Sequence, residues 1–234
     1  MKRHALILLL PAILYAQSSQ EVEITAEPTH HLVITNDQVR VFAVDVAPTN
    51  ETLLHWHRHD YIFVTLGPTE IVNAVKGKDP ITQKLEDGDT RLIPGNFAHQ
   101  VRDVASTHFR NVTVEILQDE KLRQSQTKWD EDRSLDILEG GTKQILWIKD
   151  GIRATEFELQ PGATVPEHHH TGPHLLVAVS DIDIRSDVKG SGPMSGPMPG
   201  QFKSGEAKWL PGNYSHTITN TGKQPAKFVT LEFP

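Results

Sequence analysis

PEHHHTGPHLLVAV, residues 166–179, places four of the chain's 13 histidines within seven positions and closes on an unbroken apolar run. Residues two apart share one face of a strand, so His168 and His170 project together while His169 points to the opposite face. His174 returns to the first face if the strand runs on through Gly172 and Pro173. Converging neutral imidazoles suit a divalent transition metal, and a solvated polar loop is the competing reading.

An internal repeat decides between them. NDQVRVFAVDVAPTNETLLHWH (36–57) aligns without a gap to KDGIRATEFELQPGATVPEHHH (149–170), so that Arg40 meets Arg153, His55 meets His168 and His57 meets His170. GDTRLIPGNFAHQV (88–101) aligns with GEAKWLPGNYSHTI (205–218), bringing His99 onto His216, and NVTVEI (111–116) aligns with FVTLEF (228–233). Histidines that recur at matching places in two copies argue for ligands over a chance loop. The second copy's extra residues fall in SGPMSGPMPG (191–200), which reads as a loop insertion. Its methionines are better explained by the loop than by copper.

Each copy reads as β-structure. VRVFAVDV and NVTVEI alternate, YIFVTL and HLLVAV are short apolar runs, and Gly, Pro, Asn and Asp break the chain often enough for an antiparallel barrel or sandwich. The sequence predicts an N-terminal domain over 17–117, a charged linker with one surface helix over 118–144, and a C-terminal domain over 145–234. Residues 1–16, with Lys2 and Arg3 before an apolar stretch, have the order of a secretory signal too short to span a bilayer, which predicts a periplasmic or secreted protein with no membrane span after cleavage. The 234 residues carry a formal charge of −7 and no basic run, which argues against nucleic acid as a partner. His30, His31 and His108 have no match in the other copy and read as surface residues.

His-x-His, a further ligand position four residues on, and a distant Pro-Gly-x-x-x-His resemble the two motifs of the cupin superfamily, and the chain resembles a bicupin over about 32–117 and 145–234. The resemblance implies an all-β fold of two tandem double-stranded β-helix (jelly-roll) barrels, each with a metal inside one end. It implies His168, His170, His174 and His216 as a four-histidine set in the second copy, and His55, His57 and His99 in the first, with His59 as a substitute or supplement. Where many cupins carry a glutamate, this chain has His174 in one copy and Tyr61 in the other. Tyr61, Asp60, Glu115 and Glu232 are the candidates for groups that orient the ligands. Iron or manganese is favoured, with nickel, copper and zinc open to the same donors. Without an anionic protein ligand the ion's charge favours an anionic, chelating small molecule. These features point to a dioxygenase acting on an enol, diketone or catechol-like substrate. A redox-neutral isomerase or lyase, or a non-enzymatic binding cupin, stands as the alternative, and the resemblance also implies a homodimer.

Overall fold

The computed structural model describes residues 21–129, 135–190 and 195–234. The signal read over 1–16 lies outside the described residues. The first copy forms β1 (Val22–Glu23), β2 (His30–Thr35), β3 (Val39–Val46), β4 (His55–His57), β5 (Tyr61–Thr65), β6 (Thr69–Val75), β7 (Ile81–Leu85), β8 (Thr90–Ile93), β9 (Phe97–Asp103) and β10 (Phe109–Ile116). A short helix, α1 (Asp119–Arg123), precedes β11 (Leu135–Leu138), β12 (Gly141–Lys149), β13 (Ile152–Leu159), β14 (Thr164–His170), β15 (His174–Ala178), β16 (Ile182–Val188), β17 (Gly196–Phe202), β18 (Ala207–Leu210), β19 (Tyr214–Asn220) and β20 (Ala226–Glu232).

Each copy is a jelly roll of two facing sheets, as the sequence predicts. The first has the orders β1-β4-β9-β6-β7 and β2-β3-β10-β5-β8; the second has β14-β19-β16-β17 and β11-β12-β13-β20-β15-β18. The apolar runs in β5 and β15 are unbroken because both of their faces are covered. Tyr61, Phe63, His174 and Leu176 face their own barrel's interior. Ile62, Val64, Leu175 and Val177 face outward into one cluster with Val41, Val114, Val229 and Leu231, all from the β2-β3-β10-β5-β8 sheet and the six-stranded sheet and all fully buried. The two barrels therefore share a dry interface, and separate cores fill the interior of each.

Two expectations about the connecting segments change. The stretch read as linker does carry a helix, but its final residues form β11 and β12, and β12 pairs antiparallel with β13. Their polar composition reflects an exposed sheet edge, where Ile137 is 76% exposed, rather than a loop. The second half of the predicted loop insertion is likewise a strand: β17 pairs with β16 at the edge of its sheet, where Pro197 and Pro199 cost little ladder bonding. Residues 191–194, the first half, lie outside the described residues.

Leu231 sits at the centre of the shared interface. Leu231→Ala should destabilise the chain by about 2–5 kcal/mol in chemical denaturation, and a loss below about 1 kcal/mol would show that the barrels do not depend on this contact.

Candidate metal centres

Strand register builds both sites. β4 pairs with β9 so that His55 lies opposite His99, and β14 pairs with β19 so that His168 lies opposite His216. His57 and His170, two residues further on, add a third ring on the same face. The Pro-Gly-Asn turn holds this pairing in place. Asn96 and Asn213 both adopt a left-handed backbone at φ 63°, a conformation that asparagine tolerates better than most residues. A Cβ on Gly95 would meet the His59 carbonyl, and one on Gly212 would meet the backbone of Thr171 and Gly172, so glycine lets each turn lie against the strand beside the ligands.

The imidazoles converge through Nε2. His99 Nε2 lies 3.1 Å from Nε2 of both His55 and His57, and His216 Nε2 lies 3.1 Å from His170 Nε2 and 3.0 Å from His168 Nε2. The opposite nitrogens are mostly tied. His55 Nδ1 donates to the Leu53 carbonyl and His168 Nδ1 to the Pro166 carbonyl, each acceptor being the matching residue of its copy. His99 Nδ1 donates to Asn73 Oδ1 at 2.9 Å, and His216 Nδ1 is hydrogen-bonded to Ser186 Oγ at 2.6 Å. A carbonyl can only accept, so the bonds to Leu53, Pro166 and Asn73 place the ring protons of His55, His168 and His99 on Nδ1 and turn their Nε2 lone pairs toward the centre.

Burial favours the neutral form of five of the six rings. It lowers the pKa of His55 and His168 to about 4 and of His216 to about 2, and holds those of His57 and His99 well below the usual value. Lone pairs aimed at one another across about 3 Å repel, and a divalent cation between them removes the repulsion. The spacing also matches two nitrogens that each lie about 2.1 Å from one ion and meet there at a right angle. The donor set therefore fits a divalent metal in both barrels, through His55, His57 and His99 in the first and His168, His170 and His216 in the second.

His174 and Tyr61 occupy matching places with a shared role. Tyr61 stacks on His57 at 3.9 Å and 20°, and His174 stacks on His170 at 3.8 Å and 14°. Two nearly parallel rings cannot both aim a nitrogen at one point, so His174 buttresses His170 and stands outside the converging nitrogens, with its Nε2 3.3 Å from the Tyr214 hydroxyl. His59 also stands outside the group, 3.6 Å from Asp119. Asp60 touches no converging histidine; it accepts from Gly95 N and takes a two-point contact from Arg123, which pins α1 to the first barrel.

The recurring glutamates diverge. Glu232 accepts from His170 Nδ1 at 2.8 Å and pairs with Arg153 at 2.6 Å; burial alone raises its pKa, but His170 and Arg153 outweigh this and lower it. Glu115 pairs with Arg40 at 2.7 Å, but its environment leaves burial dominant and the pKa raised, and His57 Nδ1 is buried without a partner. Arg40 and Arg153 thus form ion pairs within the barrels. His31 and His108 are exposed, but His30 is buried beside His55, with ring centroids 4.8 Å apart. It lines a cavity of about 60 Å³ next to the first triad.

No protein-family model and no curated protein sequence matches the chain. Solved structures do match its fold. Bacillus subtilis oxalate decarboxylase, a protein with Mn(II) centres, aligns at TM-score 0.62 and 12% identity over 84% of this chain and 69% of its own. The 11S globulin of Wrightia tinctoria, with an auxin binding site, aligns at TM-score 0.64 and 11% identity over 82% and 75%. The chain has the two-barrel cupin fold.

Because a carboxylate on Nδ1 strengthens the opposite nitrogen as a donor, Glu232→Gln should weaken metal binding at the second triad by about 10- to 100-fold in chelator competition while leaving the first unchanged. Equal loss at both would contradict this division. The metal-free protein should lose stability as pH falls from about 6.5 toward about 4. Across that window the unfolded chain takes up protons that folded His55 and His168 refuse. His55→Gln should flatten the decline in urea unfolding, and an unchanged slope would contradict the assignment.

Proposed function

We propose that this chain is a metal-dependent bicupin enzyme, a dioxygenase for a small chelating organic substrate, with chemistry at the first barrel. The observation that carries this reading is the first triad. Three neutral nitrogens without a carboxylate meet beside a cavity whose wall mixes apolar residues such as Val44, Leu85 and Phe109 with polar ones such as Asn73, Gln83 and Asn111. Three protein donors leave the remaining positions of a six-coordinate ion for substrate and oxygen. Bound there, iron or manganese would supply electron transfer and charge stabilisation.

The chain's own residues prepare the site. His55, His57 and His99 offer uncharged donors, so the ion's charge remains available to an anionic substrate. Tyr61 closes one side by stacking on His57, and burial pushes its phenol pKa well above the ordinary range, so it stays protonated. Burial of the three ligands lowers the local dielectric and strengthens the attraction between ion and anion. The second barrel, whose His168 is only half-buried and whose His170 is held by Glu232, serves as a tighter metal site that supports the fold. The leader at 1–16 carries the companion proposal of export.

A redox-neutral lyase or isomerase is the second reading, favoured by the buried Glu27–His30 pair beside the triad. Substrate-dependent oxygen uptake, abolished in His57→Ala and retained at a tenth or more of wild type in His170→Ala, is the expected outcome. Turnover that persists without oxygen would select the redox-neutral reading. A metal-loaded protein inert toward a panel of small enols, catechols and hydroxy acids would contradict both.

A further inference from the structure

The wall of the first cavity carries three carboxamides, Asn73 on β6, Gln83 on β7 and Asn111 on β10. In both asparagines the oxygen is already used: His99 Nδ1 donates to Asn73 Oδ1 at 2.9 Å, and the Thr113 hydroxyl donates to Asn111 Oδ1 at 2.7 Å. Turning the Asn111 amide over would deprive the buried Thr113 hydroxyl of its acceptor. Among the described residues nothing accepts from either Nδ2, and the Gln83 amide has no partner. The cavity therefore presents N–H groups that need an oxygen, and carboxamides keep that character without titrating. The second barrel lacks the set. Asn73 aligns with Ser186, and Asn111 with Phe228, whose ring stacks on Phe157. Gln83 pairs with Ile71 as Gly200 pairs with Ile184, so a glycine stands in its place.

Size and polarity then narrow the ligand. A cavity of about 60 Å³ has room for roughly four to six water-sized groups, and hence for a molecule of about half a dozen heavy atoms. A chelating anion of that size gives one pair of oxygens to the ion and turns its outer groups toward the cavity wall. An outer oxygen pairs with the amides, whereas an outer methyl leaves those donors unpaired.

We propose that Asn73, Gln83 and Asn111 determine specificity at the first barrel, selecting oxo acids, which keep a carboxylate oxygen free beyond the pair the ion takes, over diketones of equal size whose outer groups are methyls. This rests on the proposed metal at the first triad and its small chelating substrate, and is independent of whether oxygen is consumed.

Calorimetric titration of the manganese-loaded full chain with acetoacetate and with acetylacetone tests it, in a His170→Ala background that disables the second triad. The two chelators close the same ring on an ion and differ by one oxygen in place of one methyl. The parent should bind acetoacetate more tightly. Asn111→Leu, of similar volume, should lower that preference by about tenfold, and Gln83→Leu should lower it in the same direction. Gln83 lies on the edge strand β7, so its variant carries the test if Asn111→Leu does not fold. Manganese content should match the parent in both. A parent that prefers acetylacetone, loss of both affinities by one factor, or an unchanged ratio in every variant that folds and loads manganese would overturn this inference alone. A parent that holds manganese at the first triad and binds neither chelator would overturn the substrate reading with it, and one that holds no manganese there would overturn the metal reading.

Discussion

The structure turns on a repulsion built into each barrel: three imidazole lone pairs directed at one another across about 3 Å in a dry interior. Burial disfavours protonation of His55 and His168, and backbone carbonyls hold those two rings against turning. Free energy is recovered when a cation sits between the nitrogens, so the fold stores an affinity for metal in the register of two strand pairs. The Pro-Gly-Asn turns and the stacked Tyr61 and His174 keep that register and those ring planes from relaxing.

The two barrels use one plan to different ends. In the second, a carboxylate grips His170 and the site opens toward solvent at His168. In the first, the equivalent Glu115 faces Arg40 instead, all three histidines are buried, and the cavity beside them acquires its own carboxylate–histidine pair. Duplication thus yields two triads in different surroundings, one backed by a carboxylate and partly open, the other enclosed beside a cavity. The shared core between the β2-β3-β10-β5-β8 sheet and the six-stranded sheet packs the two copies together.

Much of this was legible in the sequence because the repeat marks it. His55, His57 and His99 recur as His168, His170 and His216, and period-two spacing puts each pair on one face. Repetition also misled, since it hides what is unique: His30 has no histidine partner in the second copy and was therefore read as surface. Its signal is Glu27 three residues earlier, which only tertiary packing reveals as a neighbour. Asn73 and Ser186 were legible in principle, as polar residues at matching inward positions, but alignment by identical residue types passes over them. His174 was read as a ligand from strand parity; parity fixes the face of a side chain, not the plane of its ring.

The most direct test of the two triads is anomalous X-ray diffraction from crystals of the manganese-loaded protein. The account predicts one peak in each barrel, about 2.1–2.2 Å from Nε2 of His55, His57 and His99 and of His168, His170 and His216, with His174 still stacked on His170. A peak bonded to His174, or no peak at either triad, would contradict it.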